Sequence, residues 1–179
     1  NNFGNGSPTE GYQLKTIDWD GENFSNPKTL PKSGSIWSLC FKPNGDIILH
    51  NAQSVSPTFY YYDKSNNYSY SMLFTLQQST CQFGTVGNIR SMVYNPVLDA
   101  ILIFCRNTEV SNGGQLFALN MQGQLIFEDK DIFGTSTPIR FRLGMNVDLD
   151  DPACRIIVYG GTDDGVAHIA RYSGKLDEK

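Results

Sequence analysis

A pair of short apolar runs joined by a polar turn recurs along this chain and constrains its fold more than any other feature. Its clearest copy is Gly114–Phe127. There, the apolar runs Leu116–Leu119 and Leu125–Phe127 flank a polar connection that contains Gly123. Because glycine tolerates a tight reversal between two antiparallel strands, the segment is predicted to be a β-hairpin.

The same form occurs at three other places in the chain. These are Leu14–Asp18 with Trp19–Asn23, Phe59–Asp63 with Lys64–Tyr70, and Val166–Tyr172 with Ser173–Leu176. Recurrence at intervals of roughly 50 residues is typical of a chain that repeats one supersecondary unit.

Each unit also contains an apolar run led by an isoleucine, at Ile36, Ile89 and Ile139, which are 53 and 50 residues apart. Four strands are predicted per unit: one from the isoleucine, one after a turn such as Asn44-Gly45, and the two arms of the hairpin. The first two strands are apolar at nearly every position, which is typical of sheets covered on both faces. No segment has a sustained helical period, so an all-β fold is predicted.

A repeated four-stranded antiparallel unit of this length indicates a β-propeller, whose blades stack face to face. The predicted organisation is a flexible N-terminal arm, residues 1–11, followed by one propeller-like domain, residues 12–179. Its repeat units are approximately 12–32 (partial), 33–87, 88–137 and 138–179. A two-sheet β-sandwich built from the same strands is the alternative.

Two segments resemble known propeller repeats. Ile156–Gly161, followed by Asp163-Asp164-Gly165 and then Tyr172, resembles the kelch pattern of apolar residues, paired glycines and a later aromatic residue. The hairpin Leu116–Phe127 is similar to quinoprotein-type blades. The resemblance implies a propeller that binds ligands near its central channel.

The predicted strands number thirteen, in an incomplete propeller of about three blades. Propellers have roughly four to eight blades of four strands each, so thirteen strands do not close a ring. An unclosed stack leaves apolar faces and strand edges exposed. We therefore expect additional blades from the rest of a longer chain or from another subunit.

Composition narrows the classes of function. With 179 residues, 40% of them hydrophobic and 18% charged, the chain has the composition of a folded domain. Its net charge of −4 argues against nucleic-acid binding, which needs a basic surface. No apolar run approaches the roughly 18–20 residues of a membrane span, and the start of the chain lacks the features of a signal peptide.

Cysteine spacing and sequons bear on the compartment, which the sequence leaves open. The four cysteines, Cys40, Cys81, Cys105 and Cys154, are widely spaced and form no pair typical of a zinc site. Cys40 and Cys105 lie in apolar runs and are expected to be buried thiols, although two disulfides are the alternative. Sequons at Asn5, Asn23 and Asn67 favour an extracellular location.

Candidate binding residues are Trp37, Arg90 and Arg140, each of which follows a leading isoleucine. At one position in successive blades they would surround the mouth of a channel. Guanidinium groups there would bind carboxylates or phosphates, and an indole would stack on a sugar or ring. The resemblance to kelch propellers implies that Arg90 and Arg140 hold acidic peptides. The alternative is structural: each arginine would pair with an Asp or a carbonyl of a neighbouring blade.

Metal binding and catalysis have weaker signals. Asp18, Asp20 and Glu22 have the oxygen density of a calcium loop without its full pattern, so a plain turn is favoured. The acidic segments Asp148–Asp151 and Asp163-Asp164 are expected to be surface turns. The two histidines, His50 and His168, lie in different units without a nucleophile motif, and His168 is expected to pack in a strand. No cofactor site is predicted.

The sequence therefore favours a noncatalytic binding module whose loop face recognises a protein or a glycan. An alternative is a propeller-based glycan hydrolase or lyase that uses loop carboxylates. A second alternative is a structural subunit of a larger assembly.

Overall fold

The computed structural model describes residues 13–14, 28–29, 36–51, 57–76, 89–105, 114–134, 139–162 and 165–179. The chain divides into two compact units, residues 1–34 and 35–179. In the first unit, β1 (Gln13–Leu14) pairs antiparallel with β2 (Lys28–Thr29). The predicted N-terminal arm lies outside the described residues.

The second unit contains three antiparallel sheets, each with its strands in sequence order. The first sheet consists of β3 (Ile36–Phe41), β4 (Ile47–Asn51), β5 (Thr58–Asp63) and β6 (Ser69–Thr75). The middle sheet consists of β7 (Ile89–Asn95), β8 (Ala100–Cys105), β9 (Gln115–Asn120) and β10 (Leu125–Asp129). The third sheet consists of β11 (Ile139–Val147), β12 (Ile156–Thr162) and β13 (Ala167–Tyr172).

These elements confirm the predicted all-β class and the predicted number of thirteen strands. Within the described residues the strands lie in sheets of two, four, four and three. Ile36, Ile89 and Ile139 are each the first residue of the first strand in a sheet. The described residues form no helix, and none could therefore span a membrane as a helix.

The turns form where the sequence predicts them. Gly45, in the turn between β3 and β4, has a φ of 88°, and Gly123, between β9 and β10, has a φ of 79°. Both values lie in the left-handed region that glycine adopts without steric cost. In the second turn, the Asn120 side-chain oxygen accepts hydrogen bonds from the amides of Gln122 (3.0 Å) and Gln124 (2.9 Å). A local side chain thus fixes the reversal on which the hairpin depends.

The sheets pack face to face through two apolar cores, and β8 contributes to both. Its alternate residues Ile101 and Ile103 enter the first inter-sheet core, between the first and middle sheets. Leu102 and Phe104 enter the second inter-sheet core, between the middle and third sheets. All six residues of β8 are buried, as expected for a strand covered on both faces. A stack of three sheets shows that the two-sheet sandwich alternative is wrong.

The two sheets at the ends of the stack differ from the expectation that both faces are covered. Leu39 and Phe41 of β3 are exposed, as are Tyr159 of β12 and Ile169 of β13. On the third sheet the physical reason is position in the stack, because within the described residues this sheet packs against the middle sheet only. On the first sheet the exposed residues lie on β3, whereas Ile47 and Leu49 of β4, on the same face, are buried outside both inter-sheet cores.

Two predicted hairpin arms need correction. Lys64–Tyr68 form the turn, and the strand that follows begins at Ser69. Ser173–Leu176 is also a turn, in which the Leu176 amide donates to the Ser173 carbonyl at 3.0 Å and Leu176 has a φ of 61°. Leu176, whose apolar side chain led to the prediction of a strand, is instead buried in the second inter-sheet core.

The cysteine prediction holds for the residues described. Cys40 and Cys105 are buried in the first inter-sheet core, and Cys40 carries a free thiol. Burial raises the pKa of the Cys40 thiol to about 12, so this thiol is unreactive at neutral pH. Cys154 is half-buried with a free thiol, and Cys81 lies outside the described residues.

Candidate functional site

The first strands of the three sheets run side by side: β3 packs on β7, and β7 packs on β11. In each sheet, the pairing between the first and second strands is irregular at the second residue of the first strand. There, an advance of two residues along the first strand corresponds to one residue along the second strand. The pairs on either side of this step are Ile36↔Asn51 and Ser38↔His50, Ile89↔Cys105 and Ser91↔Phe104, and Ile139↔Thr162 and Phe141↔Gly161. Each first strand therefore carries a β-bulge at an equivalent position.

The bulged residues are Trp37, Arg90 and Arg140, the three candidate binding residues. The backbone thus places them at equivalent positions on three adjacent strands, near the end of the sheets where these strands begin. Their side chains lie outside the described residues, as do the connections 52–56, 77–88, 106–113 and 135–138. The equivalence of the backbone positions is established, whereas the convergence of the side chains stays a prediction.

Tyrosine–aspartate pairs form a second set of polar contacts, which sequence analysis missed. The Tyr94 hydroxyl donates to Asp99 Oδ1 at 2.6 Å. Lys42, which follows β3, places its Nζ 3.4 Å from the same oxygen and 4.7 Å from the centre of the Tyr94 ring. This cluster joins the first sheet to the middle sheet.

A similar cluster joins the middle sheet to the third. The Tyr172 hydroxyl and Lys179 Nζ both donate to Asp129 Oδ2, each at 2.8 Å. Lys179 Nζ also lies 5.7 Å from the centre of the Tyr172 ring and 3.1 Å from the Asp131 carbonyl oxygen. Each inter-sheet core is therefore bordered by one lysine, one tyrosine and one aspartate.

A third pair, Tyr61 and Asp46, lies within the first sheet. Asp46 is 3% exposed and accepts hydrogen bonds from the Tyr61 hydroxyl and, at 2.9 Å, from the Lys64 amide. A shallow depression of about 540 Å³ adjoins these residues. Its other acidic side chain, Asp63, accepts from the Ser65 amide at 2.8 Å and the Ser65 hydroxyl at 2.6 Å. Polar groups around the depression thus bond to each other.

These contacts favour the ionised form of the three aspartates. Burial by itself raises the pKa of Asp46 and of Asp129, but hydrogen bonds from tyrosine and from Lys64 or Lys179 bring both pKa values below the usual range. The hydrogen bond from Tyr94 lowers the pKa of Asp99. A general acid needs the opposite shift, so these carboxylates are suited to structural hydrogen bonds and not to donating protons. Asp99 and Asp129 belong to contacts between sheets, and Asp46 to a contact within the first sheet.

Among the described residues, three buried side chains have a polar atom without a hydrogen-bond partner. These atoms are His50 Nδ1, the Tyr62 hydroxyl and Gln115 Oε1, in residues that are 3%, 1% and 2% exposed. Burial lowers the pKa of His50 to about 4, so the ring is neutral at pH 7, and it packs 5.2 Å from the Phe59 ring. His168 is half-buried with its ring 5.9 Å from that of Phe133, which confirms the expected packing role.

The remaining predicted sites divide between turns and undescribed residues. Asp148 Oδ1 accepts from the amides of Asp150 (3.1 Å) and Asp151 (3.2 Å), which confirms a surface turn there. Asp18, Asp20, Glu22 and the pair Asp163-Asp164 lie outside the described residues. Within the described ranges, no group of three or more His, Cys, Asp or Glu side chains is arranged to hold a metal ion. Asn67 lies exposed in the β5–β6 turn, which suits its sequon.

Comparison with known proteins supports the fold. No family model and no curated protein matches the sequence. A luciferin-regenerating enzyme is 11% identical, with a TM-score of 0.55 over 89% of this chain and 50% of that chain. A protein of unknown function from Bacteroides caccae (12% identity, TM-score 0.44, 87% and 52% coverage) and a streptogramin B lyase (13%, 0.39, 90% and 44%) are also similar.

The similarity to the luciferin-regenerating enzyme and the stacked sheets together identify the fold as β-propeller blades. The chain spans about half the length of the solved structures that it matches. At these low identities the likeness concerns the fold alone.

Proposed function

We propose that this chain is a noncatalytic binding module that recognises a protein or a glycan at the end of the sheets where β3, β7 and β11 begin. The observation that carries the proposal is the β-bulge found at Trp37, Arg90 and Arg140. A bulge re-aims a side chain relative to its strand, and bulges are over-represented beside functional sites. Three bulges at equivalent positions on adjacent strands support one shared binding surface at this end of the sheets.

The residue types fit a ligand with anionic or ring-shaped groups. A guanidinium binds a carboxylate or a phosphate through two parallel hydrogen bonds, and an indole offers a flat apolar surface to a sugar or an aromatic ring. The kelch-like pattern at Ile156–Gly161 supports acidic peptides as the protein ligand, with Arg90 and Arg140 as the contacting residues.

Two other functions have less support. A glycosidase mechanism needs two carboxyl groups about 5–10 Å apart, one of which has a raised pKa. Asp46, Asp99 and Asp129 have lowered pKa values and are already hydrogen-bonded to tyrosines. A purely structural role for Trp37, Arg90 and Arg140 gives no reason for a β-bulge at the same position of three strands.

A glycan and peptide array tests the proposal. The chain is applied beside the variants Trp37→Ala, Arg90→Ala and Arg140→Ala. Each arginine variant is expected to lose about tenfold or more in affinity for the same ligands, since a charge-assisted hydrogen bond is worth about 1.5–3 kcal/mol.

Arg155→Ala is the matched control. Arg155 is exposed, precedes β12 at the other end of the third sheet and bonds to Asp151 Oδ2 at 2.7 Å. This variant should bind like the original chain. If all three site variants also keep full binding, the three residues are not the site; if array glycans are cleaved, the enzyme alternative replaces the proposal.

A further inference from the structure

One of the buried side chains with an unpartnered atom, His50, lies beside the bulge of the first sheet. It pairs with Ser38, the residue that directly follows Trp37. His50 lies two positions after Ile48 on β4, so it faces the same side of the sheet, where Ile48 belongs to the first inter-sheet core. Its ring also contacts the ring of Phe59 in the same core. The imidazole therefore enters the gap between the first and middle sheets next to the bulge.

Gln115 has a similar place in the middle sheet. It lies in the same row of paired residues as Ile89, which directly precedes the bulge at Arg90. Gln115 lies two positions before Phe117 on β9, a residue of the first inter-sheet core, and therefore faces the first sheet. His50 and Gln115 thus enter one gap from its two sides, each in a row that flanks a bulge.

The third sheet has a buried polar residue in the corresponding row, but its hydroxyl has a partner. Thr162 pairs with Ile139, which precedes the bulge at Arg140. It is buried, and its hydroxyl donates to the Val166 carbonyl oxygen at 3.2 Å. Among the described residues, the unpartnered atoms beside the bulges therefore belong to the gap between the first and middle sheets.

Unpartnered atoms at this place indicate a partner from outside the chain. Buried polar groups in folded proteins almost always have a hydrogen-bond partner, because burial without one is costly. Here two exceptions face the same gap, at the end of the sheets where the proposed binding surface lies. A ligand that supplies the missing hydrogen bonds would recover the free energy that the unbound protein loses.

The group that suits both atoms is a hydroxyl. Gln115 Oε1 only accepts hydrogen bonds, so a carboxylate or a phosphate does not satisfy it. The His50 ring is neutral at pH 7, and its Nδ1 donates or accepts according to which nitrogen carries the proton. A hydroxyl satisfies both atoms, because it donates and accepts. Sugars carry many hydroxyls, whereas the side chains of an acidic peptide only accept.

We propose that the surface at the bulged residues binds an acidic sugar, whose hydroxyls bond to Gln115 Oε1 and His50 Nδ1 and whose carboxylate binds Arg90 or Arg140. This inference rests on the proposed function and makes its ligand class specific. The arginines supply paired donors for the carboxylate. Gln115 is the first residue of β9 and His50 the last but one of β4. Rotation of these two side chains at the ends of their strands brings the buried atoms to the ligand.

Gln115→Met and His50→Phe test the inference through different effects on binding and on stability. Each variant keeps an unbranched or ring side chain of similar size and removes the unpartnered atom. The affinity for an acidic sugar, measured by titration calorimetry, should fall about three- to tenfold, as expected for one neutral hydrogen bond. The midpoint of urea unfolding should stay the same or rise, because no polar atom is left without a partner.

Thr162→Val is the matched control. It also replaces a buried polar residue beside a bulge by an apolar residue of similar size, but it removes a hydrogen bond that the protein already makes. Its midpoint of urea unfolding should therefore fall. Its affinity for the acidic sugar should equal that of the original chain.

The sugar probes are sialyllactose and tetragalacturonate, beside their uncharged counterparts lactose and methyl-esterified tetragalacturonate. Tetraglutamate is the peptide probe, since it carries carboxylates without hydroxyls. The original chain should bind an acidic sugar more tightly than its uncharged counterpart and more tightly than tetraglutamate.

The outcomes separate this inference from the proposed function. Tighter binding of tetraglutamate would overturn the acidic sugar and leave the binding module intact. Full sugar affinity in both Gln115→Met and His50→Phe would also overturn the inference, and would indicate that water is the partner of these atoms. Absence of binding to every probe and to the whole array would contradict the proposed function as well.

Discussion

The second strands of the middle and third sheets, β8 and β12, illustrate how position in the stack decides burial. Both strands are runs of mainly apolar residues. All six residues of β8 are buried, whereas Tyr159 in the centre of β12 is 46% exposed. The difference follows from the number of neighbouring sheets, since β8 contributes to both inter-sheet cores and β12 to one. An apolar sequence therefore indicates that a strand is suited to burial on both faces. Whether both faces are buried depends on the number of neighbouring sheets.

Substitution of one buried residue gives the largest expected effect within this comparison. Ile103→Ala should lower the free energy of unfolding by about 2–5 kcal/mol, because Ile103 is fully buried and the removed atoms leave a cavity. Leu149→Ala, at an exposed position, should stay within about 0.5 kcal/mol of the original chain. Urea unfolding measures both values, and equal effects would contradict the role assigned to the middle sheet.

Acidification should destabilise the first inter-sheet core through His50. Burial lowers the pKa of this ring from 6.5 to about 4, so protonation favours the unfolded chain. The stability contributed by neutral His50 is complete above pH 6.5 and falls as the pH drops towards 4, by about 3 kcal/mol at pH 4. Unfolding by urea across this range should show a flatter pH profile in His50→Phe. A variant profile as steep as the original would exclude His50 as the cause.

The turn that connects β9 with β10 contributes to the contact between the first and middle sheets. A Cβ at Gly123 would lie 2.7 Å from the ring of Phe74, a buried residue of the first sheet. Gly123→Ala should therefore cost about 1 kcal/mol for its left-handed backbone and about 1–3 kcal/mol more for overpacking.

Gly134→Ala provides the comparison for this backbone cost. Gly134 also has a positive φ, 58°, but no atom lies within 4 Å of its ideal Cβ position. This variant should show only the cost of the backbone conformation. Thermal unfolding that ranks Gly134→Ala as the more damaging change would contradict the predicted contact.

The two tyrosine–aspartate pairs between sheets can be compared by removing the tyrosine hydroxyl from each pair in turn. Tyr172→Phe should lower the free energy of unfolding by about 1.5–3 kcal/mol, since its partner carboxylate at Asp129 is only 19% exposed. Tyr94→Phe should cost less than about 1 kcal/mol, because the side chain of Asp99 is 65% exposed and water can replace the hydroxyl. The reverse order in urea unfolding would show that exposure does not decide the strength of these pairs.

Much of the fold follows from local sequence. Asn44-Gly45 and the Asn120–Gln124 turn specify reversals through backbone conformation and nearby hydrogen bonds, so their strands were predictable. Ser173–Leu176 misled the prediction because a buried Leu176 next to a turn has the same pattern as a short strand. Spacing along the chain made the equivalence of Ile36, Ile89 and Ile139 visible.

The contacts between sheets were not predictable in the same way. Tyr172 and Asp129 are 43 residues apart and belong to different sheets, so no local pattern relates them. Regular repeat spacing did identify Trp37, Arg90 and Arg140 as equivalent positions, and the backbone confirms that equivalence. A shared ligand for these three residues stays a proposal, because ligand binding depends on side-chain geometry that spacing does not encode.

Hydrogen exchange tests most directly the claim that the middle sheet is covered on both faces. The amides of β8 should exchange only when the whole stack unfolds, while those of β13 should exchange faster through local opening. Equal exchange rates for β8 and β13 would contradict the stacked arrangement of the three sheets.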